Sequence, residues 1–337
     1  MGQMRGVLLG CGALAEQYSA PAIRAIDLQI VELIDPSDQR ASVLAKIFPT
    51  AKTSTSTSQL SEVASDLCLI TSPSKFHAHQ SIEAMEAGMH VLCEKPMANT
   101  VAEAEQMIAT SERTGKLLAI GLFRRFFPSA RAIKEIVQNS SLGKPVRYEF
   151  AEGGLFNWPA ASPTFFSKEH SGGGVLHDLG VHVLDLVAHW FGDPESIDYE
   201  DDAAGGLETN ALVKLCHGGF FGEVRLSRDW TTSNRYYIEF ENGWIGWRVG
   251  EANQIEMGFK GSSQSFKVQV CSSAENWGNP APGDVGLTYH QAFTEQLAHF
   301  VRAINGEESL LVPGSEGIRS LRIIEECYRN RRAMVTI

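Results

Sequence analysis

The first part of the chain alternates short apolar runs with segments in which apolar residues recur at helical spacing. The apolar runs are residues 5–10, 28–34, 67–71, 89–93 and 117–122, and the amphipathic segments are 13–26, 37–48, 74–88 and 100–115. Thr100 and Glu103 have the spacing of a capping box, which predicts that a helix begins there. Strands that alternate with helices predict a parallel, doubly wound sheet that binds its ligand at the carboxyl ends of the strands.

The pattern changes near residue 145. Runs with strand character follow at 146–152, 207–215, 220–226, 236–241 and 265–270, and helical segments at 175–191, 289–305 and 317–331. The turns His217-Gly218-Gly219 and Asn242-Gly243 join neighbouring runs, as in β-hairpins. This second half predicts a mainly antiparallel open sheet backed by helices. We therefore expect an α/β domain over residues 1–125 and an α+β domain over residues 126–337.

Composition and charge limit the binding partners and the cellular location that we expect for this protein. With 337 residues, 29 basic and 40 acidic side chains, the net charge is −11, which disfavours nucleic acid as a partner. No apolar run approaches the roughly 20 residues that cross a bilayer, and the first residues have no signal-peptide pattern. The six cysteines are scattered without a C-x-x-C pair, so we expect a protein of the reducing cytoplasm.

The first run ends in Gly10-Cys11-Gly12-Ala13-Leu14-Ala15, a G-x-G-x-x-A turn between a strand and a helix. Gly10 allows the tight turn, Gly12 lets the backbone approach a pyrophosphate, and Ala15 keeps the helix close to the sheet. Because the turn follows the first strand, we interpret it as the dinucleotide-binding turn of a Rossmann domain. The predicted cofactor contacts here are Gly10, Gly12, Ala13, Leu14 and Ala15.

An acidic residue ends the second strand. Asp35 lies about 20 residues after the turn, where a carboxylate binds the hydroxyls of the adenosine ribose and repels a 2′-phosphate. We therefore expect NAD as the cofactor. Arg40 keeps NADP possible, and a solvated turn aspartate before Pro36 is the structural alternative.

Two further strand exits carry polar residues. Ser72-Pro73 and His77 follow the strand at 67–71 and are candidates to contact the cofactor. Glu94-Lys95-Pro96 follows the strand at 89–93, where a lysine could stabilise an alkoxide or hold a substrate hydroxyl. Considered alone, Lys95 is equally consistent with an ordinary surface lysine at the end of a strand.

A polar stripe follows three glycines at 172–174. On a helix over residues 175–191, Asp178, His182, Asp185 and His189 lie on one side of the axis. The stripe has three interpretations: a solvated face, a metal site, or a catalytic acid–base pair. His182 suits the third because an imidazole titrates near neutrality. We predict no metal.

The remaining candidates are weaker. Arg125, in the segment that leaves the last strand of the first domain, could reach a substrate or pair with a carboxylate. Trp158 and Tyr289 are further candidates for substrate contact, with Phe156 and His290 beside them in the sequence, although aromatic side chains more often belong to the core.

Taken in order, the motifs G-x-G-x-x-A, T-S-P-x-x-x-H, E-K-P, F-R-R-F-x-P and G-G-G-x-L-x-D-x-G-x-H-x-x-D resemble those of the glucose–fructose oxidoreductase, inositol dehydrogenase and MocA family. The resemblance runs from residue 5 to about 192 and returns more loosely at 289–329. It implies an oxidoreductase that transfers a hydride between a nicotinamide and a secondary alcohol or ketone of a sugar or polyol. It also implies a homodimer or homotetramer that associates through the open face of the second sheet.

The resemblance assigns roles to three residues. Lys95 matches the lysine that approaches nicotinamide and substrate, His182 the proton acceptor or donor, and Asp178 the aspartate that holds substrate or lysine. We expect Lys95 and His182 to meet at one active site. Two alternatives of other classes remain: an NAD-dependent glycosidase and a regulator that senses dinucleotide without catalysis.

Overall fold

A computed structural model describes residues 3–58, 60, 63–156, 167, 171–270 and 285–334, with the side chains of residues 285–288 left out. The strands are β1 Arg5–Leu9, β2 Gln29–Ile34, β3 Lys52–Ser54, β4 Leu67–Ile70, β5 His90–Glu94, β6 Leu118–Gly121, β7 Pro145–Gly153, β8 Ser196–Asp201, β9 Asn210–His217, β10 Phe220–Ser227, β11 Arg235–Phe240, β12 Gly243–Arg248, β13 Gln254–Phe259, β14 Ser265–Gln269 and β15 Arg331–Ala333. The helices are α1 Ala20–Ala25, α2 Asp38–Ala45, α3 His77–Glu86, α4 Val101–Thr114, α5 Pro128–Gln138, α6 Val181–Phe191, α7 Val285–Ile304 and α8 Gly314–Arg329. A π-helical turn leads into α1 at Ala15–Ser19 and another into α6 at Leu176–Gly180, and short 3₁₀ turns occupy Ser74–Phe76 and Phe123–Phe126.

The chain forms two compact units, and the first is built on a six-stranded parallel sheet. Its strand order is β3-β2-β1-β4-β5-β6, so that the chain starts in the middle and winds outward in both directions. Strands β4 and β6 are buried along their whole length, as expected for a sheet covered on both faces. The predicted doubly wound Rossmann sheet is confirmed.

Local sequence signals explain where α4 begins and ends. The Thr100 hydroxyl accepts the Glu103 N–H at 3.2 Å, and the Glu103 carboxylate accepts the Thr100 N–H at 3.0 Å, which completes the predicted capping box. Gly115 ends the helix with φ +67°, a backbone conformation that costs glycine little.

The first unit also contains a late part of the chain, residues 290–321. The Ile120 N–H of β6 donates to the Val312 carbonyl at 3.0 Å, and Ala119 pairs with Pro313 in an antiparallel bridge. A Cβ on Gly317 would lie 2.5 Å from Ile120 Cγ1, so this glycine lets α8 approach the sheet closely. The division of the chain is therefore not a single cut after residue 125, because residues 290–321 belong to the first unit.

The second unit is built on a nine-stranded sheet with the order β14-β13-β12-β11-β7-β10-β9-β8-β15. Most neighbours pair in antiparallel fashion, as predicted, but β7–β10 and β8–β15 are parallel. The sheet is therefore mixed. The segment α5 and the strands β8, β12, β13 and β15 were not among the predicted elements.

One face of this sheet, the inner face, packs against α6. Tyr148 on β7 stacks on Phe191 at 4.7 Å between ring centroids, and its ring also fills the space above Gly222 on β10. Gly180 allows the turn before α6 to contact β10, since a Cβ there would lie 2.8 Å from Leu226 Cδ1. The inner face thus carries the hydrophobic core of the second unit.

The opposite face, the outer face, lies open. It carries alternate residues of the same strands, among them Glu149, Phe221, Glu223 and Arg225, which line a broad shallow groove. Phe221 is 60% exposed, an unusually large apolar surface for a strand residue. None of the described helices is long and apolar enough to cross a bilayer.

Candidate active site

The glycine turn after β1 has the geometry of a phosphate-binding turn. Gly10 has φ +91°, and a Cβ there would lie 2.5 Å from the Ser72 nitrogen, so only glycine fits. A Cβ on Gly12, by contrast, would meet nothing within 4 Å, which leaves open space over this part of the turn. Ala15 is fully buried and brings the following helix close to the sheet. The turn therefore fits a dinucleotide pyrophosphate, which would lie against Gly12 and the N-terminal N–H groups of the helix.

Asp35 is tied to this turn. It is 4% exposed, and its carboxylate accepts the N–H groups of Cys11 and Ser37, each at 2.8 Å. These bonds fix the carboxylate at the exit of β2, beside the glycine turn. The alternative of a solvated turn aspartate is therefore wrong. Burial, together with the nearby Asp35 charge, raises the pKa of the Cys11 thiol to about 12, so this cysteine stays a neutral thiol.

His77 joins the exits of β4 and β5. Its ring nitrogens lie 2.7 Å from the carbonyl oxygens of Pro96 and Ser72, and the side chain is 1% exposed. Burial lowers the pKa of this imidazole. His77 thus connects the two loops, and the cofactor contact predicted for it stays a prediction. Ser72 remains at the surface of the same loop, where its hydroxyl donates to Gln80 at 2.6 Å, and Pro73 is exposed.

Glu94 and Lys95 differ sharply in environment. Lys95 is partly exposed at the strand exit, whereas Glu94 is 8% exposed. The Glu94 carboxyl group packs against Gly121 of β6, where a Cβ on the glycine would come within 2.9 Å of the carboxyl atoms. Burial raises the pKa of Glu94 to about 7, although the neighbouring Lys95 charge opposes the shift. Glu94 borders a small cavity of about 20 Å³ together with Gln296 of α7. The direct cofactor contact predicted for Glu94 stays a prediction.

The segment Leu176–Phe191, the π turn together with α6, is buried on nearly all sides. The interpretation of its polar stripe as a solvated face is therefore wrong. Asp185 is 1% exposed and accepts three hydrogen bonds of 2.6 to 3.1 Å from the Arg125 guanidinium, which is equally buried. The guanidinium of this interior ion pair holds the helix in place, and the substrate contact predicted for Arg125 stays a prediction.

His182 lies in an aromatic environment. The Phe123 ring meets the imidazole edge-on at 5.2 Å between centroids, and the Tyr289 ring meets Phe123 in the same way at 5.3 Å. His182 is 6% exposed. Tyr289 is thus separated from His182 by one ring, and its predicted contact with substrate stays a prediction.

Asp178 lies one helical turn before His182 and is less enclosed. Its carboxylate accepts a hydrogen bond from the Arg228 guanidinium, which packs over the Phe156 ring at 5.8 Å. No sequence motif marks Arg228 as a partner of Asp178, because the two residues lie 50 positions apart along the chain. Only the register of β10 against the π turn brings the two side chains together.

Glu208 anchors the beginning of this segment. Its carboxylate accepts the Gly174 and Leu176 N–H groups at 2.9 and 3.1 Å and the Tyr328 hydroxyl at 2.7 Å. Cβ atoms on Gly173 and Gly174 would lie about 2 Å from Tyr328 and Glu208 respectively. Two of the three glycines therefore serve the close approach of protein atoms rather than of a ligand.

The predicted site residues thus form two groups. The glycine turn, Asp35, Ser72 and Lys95 lie at neighbouring strand exits of the first unit, whereas Asp178 and His182 lie on one helix of the second. The meeting of Lys95 with His182 stays a prediction. Trp158 lies outside the described residues. Among the described residues, no three His, Cys, Asp or Glu side chains cluster closely enough to hold a metal ion.

Comparison with known protein families agrees with both units. Residues 4–122 match the model of the oxidoreductase family with an NAD-binding Rossmann fold, and residues 130–246 match the GFO/IDH/MocA C-terminal domain. The chain belongs to the GFO/IDH/MocA family. This confirms the resemblance drawn from the motifs and the prediction of a nicotinamide-dependent oxidoreductase.

Curated relatives in the GFO/IDH/MocA family include sugar and polyol dehydrogenases. D-glucoside 3-dehydrogenase of Escherichia coli is 31% identical over 252 residues, which cover 72% of this chain and 69% of the relative. The NADP-dependent scyllo-inositol 2-dehydrogenase of Bacillus subtilis is 23% identical, with 98% of this chain and 94% of the relative covered.

Solved structures of GFO/IDH/MocA type share the fold. Aldose–aldose oxidoreductase from Caulobacter crescentus matches with a TM-score of 0.84 at 22% identity and covers 98% of this chain and 97% of its own. Levoglucosan dehydrogenase, solved with NADH and levoglucosan, matches with a TM-score of 0.83 at 18% identity and the same coverage. The predicted fold class is therefore confirmed.

The raised pKa of Glu94 predicts a pH-dependent stability. In the unfolded chain this carboxyl titrates near its ordinary value of 4.5, whereas in the folded protein it titrates near 7. The folded state therefore binds the proton more tightly, and Glu94 destabilises the fold increasingly as pH rises from about 4.5 to 7. Glu94→Gln should remove this pH dependence, which amounts to a change in the free energy of unfolding on the order of 3 kcal/mol.

The measurement is the free energy of unfolding of wild type and Glu94→Gln in urea between pH 4.5 and 8. The difference should grow in favour of the variant as pH rises. A difference that does not change with pH would contradict the assignment.

Proposed function

We propose that this protein is an NAD-dependent dehydrogenase or reductase acting on a secondary alcohol or ketone of a sugar or polyol. The observation that carries the proposal is the pair Asp178 and His182, one helical turn apart on a segment whose other carboxylate is neutralised internally by Arg125. The names of the curated relatives, which act on glucosides and inositols, support a polyhydroxylated ring as substrate.

The roles of the residues follow from their chemistry. When bound, the nicotinamide supplies hydride transfer. His182 accepts the hydroxyl proton as the alcohol is oxidised, and returns it when a ketone is reduced. Lys95 stabilises the oxygen on which negative charge develops, and Asp178 accepts a hydrogen bond from a substrate hydroxyl. The aromatic wall of Phe123 keeps the imidazole of His182 oriented.

We propose NAD rather than NADP as the preferred cofactor. Asp35 places a carboxylate at the exit of β2, where it would bind ribose hydroxyls and repel a 2′-phosphate. Both of its oxygens are fixed by backbone N–H groups, so the carboxylate keeps its place beside the glycine turn.

Asp35→Asn should weaken the preference for NADH over NADPH by about tenfold, because it removes a charge-assisted hydrogen bond and the repulsion together. Dissociation constants from fluorescence titration with NADH and NADPH provide the measurement. Asp38→Asn, the same change of charge at an exposed site in the first turn of α2, is the control and should keep the wild-type preference. Wild-type protein that binds NADPH as tightly as NADH would show that the proposal is wrong.

His182→Ala should lower the turnover number by about 10²- to 10⁴-fold, the range usual for loss of a general acid–base group. The dissociation constant of NADH should stay unchanged, because His182 belongs to the other unit from the glycine turn. The assay follows NADH formation with methyl β-D-glucopyranoside, levoglucosan and scyllo-inositol. His189→Ala, on the same helix but partly exposed, is the control and should retain activity.

Two outcomes would contradict this assignment. Turnover by His182→Ala close to that of wild type would remove His182 from the mechanism. Release of nitrophenol from a nitrophenyl glucoside without net formation of NADH would favour the glycosidase alternative.

We further propose that two or more copies associate through the outer face of the nine-stranded sheet. Phe221 is 60% exposed on this face, near side chains of both charges such as Glu223, Arg225 and Lys214. An apolar side chain with mixed charges around it suits a self-complementary interface between identical surfaces.

Phe221→Glu should therefore convert the assembly to monomers, because it buries a charge at the centre of the interface. Size-exclusion chromatography with light scattering measures the mass directly. Phe76→Glu, at a phenylalanine 43% exposed in the first unit, is the matched control and should keep the wild-type mass. A monomeric wild-type protein would contradict the proposal.

A further inference from the structure

Arg228 reaches Asp178 because of the register between β10 and the π turn. Leu226, on the inner face of β10, contacts Gly180. Side chains two residues apart along a strand point to the same face, and the strand pairing continues one residue further, since the Arg228 N–H donates to the Thr209 carbonyl at 2.9 Å. Arg228 therefore follows Leu226 on the inner face and meets Asp178, which precedes Gly180.

The Arg228 guanidinium is only partly used by the protein. One terminal nitrogen donates to Asp178, and the group packs over the Phe156 ring. Among the described residues, Asp178 is the one hydrogen-bond acceptor that this guanidinium meets, and its Nε–H has no hydrogen-bond partner there. A guanidinium carries five N–H donors, so most of its donor capacity remains available.

Two ion pairs on the same helical segment differ in exposure. In the pair of Arg125 with Asp185, both side chains are 1% exposed, as befits a structural contact. In the pair of Arg228 with Asp178, the side chains are 28% and 21% exposed. The second pair is therefore accessible to a small molecule, whereas the first is not.

We propose that Arg228 is a substrate-binding residue that, together with Asp178, recognises two adjacent hydroxyl groups of the sugar ring. This inference rests on the proposed function. One hydroxyl donates to the Asp178 carboxylate, and the oxygen of its neighbour accepts from the Arg228 guanidinium. Because each hydroxyl is both donor and acceptor, a vicinal diol complements a carboxylate beside a guanidinium. The pair has no net charge, so it suits a neutral sugar.

A comparison of parent and deoxy substrates tests this inference. The probes are methyl β-D-glucopyranoside with its 2-deoxy and 4-deoxy analogues, and scyllo-inositol with its monodeoxy derivative. In the wild-type protein, one analogue of the accepted parent should lose about 10- to 100-fold in kcat/KM, the range of a hydrogen bond to a charged donor. In Arg228→Met this penalty should fall to less than about threefold, and Arg228→Lys should restore part of it.

A matched control lies on another strand of the same sheet. Arg248 ends β12 and is exposed. Arg248→Met removes the same charge from the same unit and should leave the deoxy penalty at its wild-type size. Thermal unfolding of each variant shows whether it is folded, and the Lys variant retains the charge opposite Asp178.

The outcomes separate this inference from the proposed function. If the wild-type protein with cofactor neither oxidises nor binds any of the probes, with binding followed by saturation-transfer NMR, the proposed function fails and the inference fails with it. If it oxidises a parent compound but shows no deoxy penalty, or if Arg228→Met lowers activity on parent and analogue equally, Arg228 has only a structural role. In that case the proposed function stands and the inference is overturned.

Discussion

The segment from Leu176 to Phe191 carries charged residues into the interior of the second unit, and burial requires each of them to be satisfied there. Asp185 is neutralised by Arg125, and the first N–H groups of the segment are accepted by Glu208. These contacts fix the position of the helix along its axis and its rotation about that axis. The rotation of the helix in turn decides where Asp178 and His182 point, so the chemistry proposed for them depends on these polar contacts inside the second unit.

Much of the first unit could be predicted from local sequence. The glycine turn and the capping box at Thr100 are short motifs whose geometry is set by adjacent residues, and the structure has both as expected. The second unit was harder to predict. Strand β12 contains two glycines and lacks a clear alternation, and Gly246 is covered by the Arg235 side chain rather than by one of its own. Packing of that kind leaves no trace in hydrophobic periodicity.

The candidate site, too, could be predicted only in part. The lysine and histidine were found because they lie in motifs, but the partners that position the helix are distant in sequence. Arg125 is 60 residues from Asp185, Arg228 is 50 from Asp178, and Tyr328 is 120 from Glu208. A helical wheel of this segment could not distinguish Asp185, which is neutralised in the interior, from Asp178, which stays accessible. Strand register, which depends on the whole sheet, makes that distinction.

The late segments of the chain complete both units, and this has a consequence for biosynthesis. The Ile120 N–H of the edge strand β6 donates to the Val312 carbonyl, and the Tyr328 hydroxyl donates to the Glu208 carboxylate at the start of the segment Leu176–Phe191. Neither unit has all of its contacts while the ribosome is still translating the preceding residues. A fragment that ends near residue 125 would expose the surface that residues 290–321 cover. Neither unit can therefore reach its full set of contacts before translation has passed these segments.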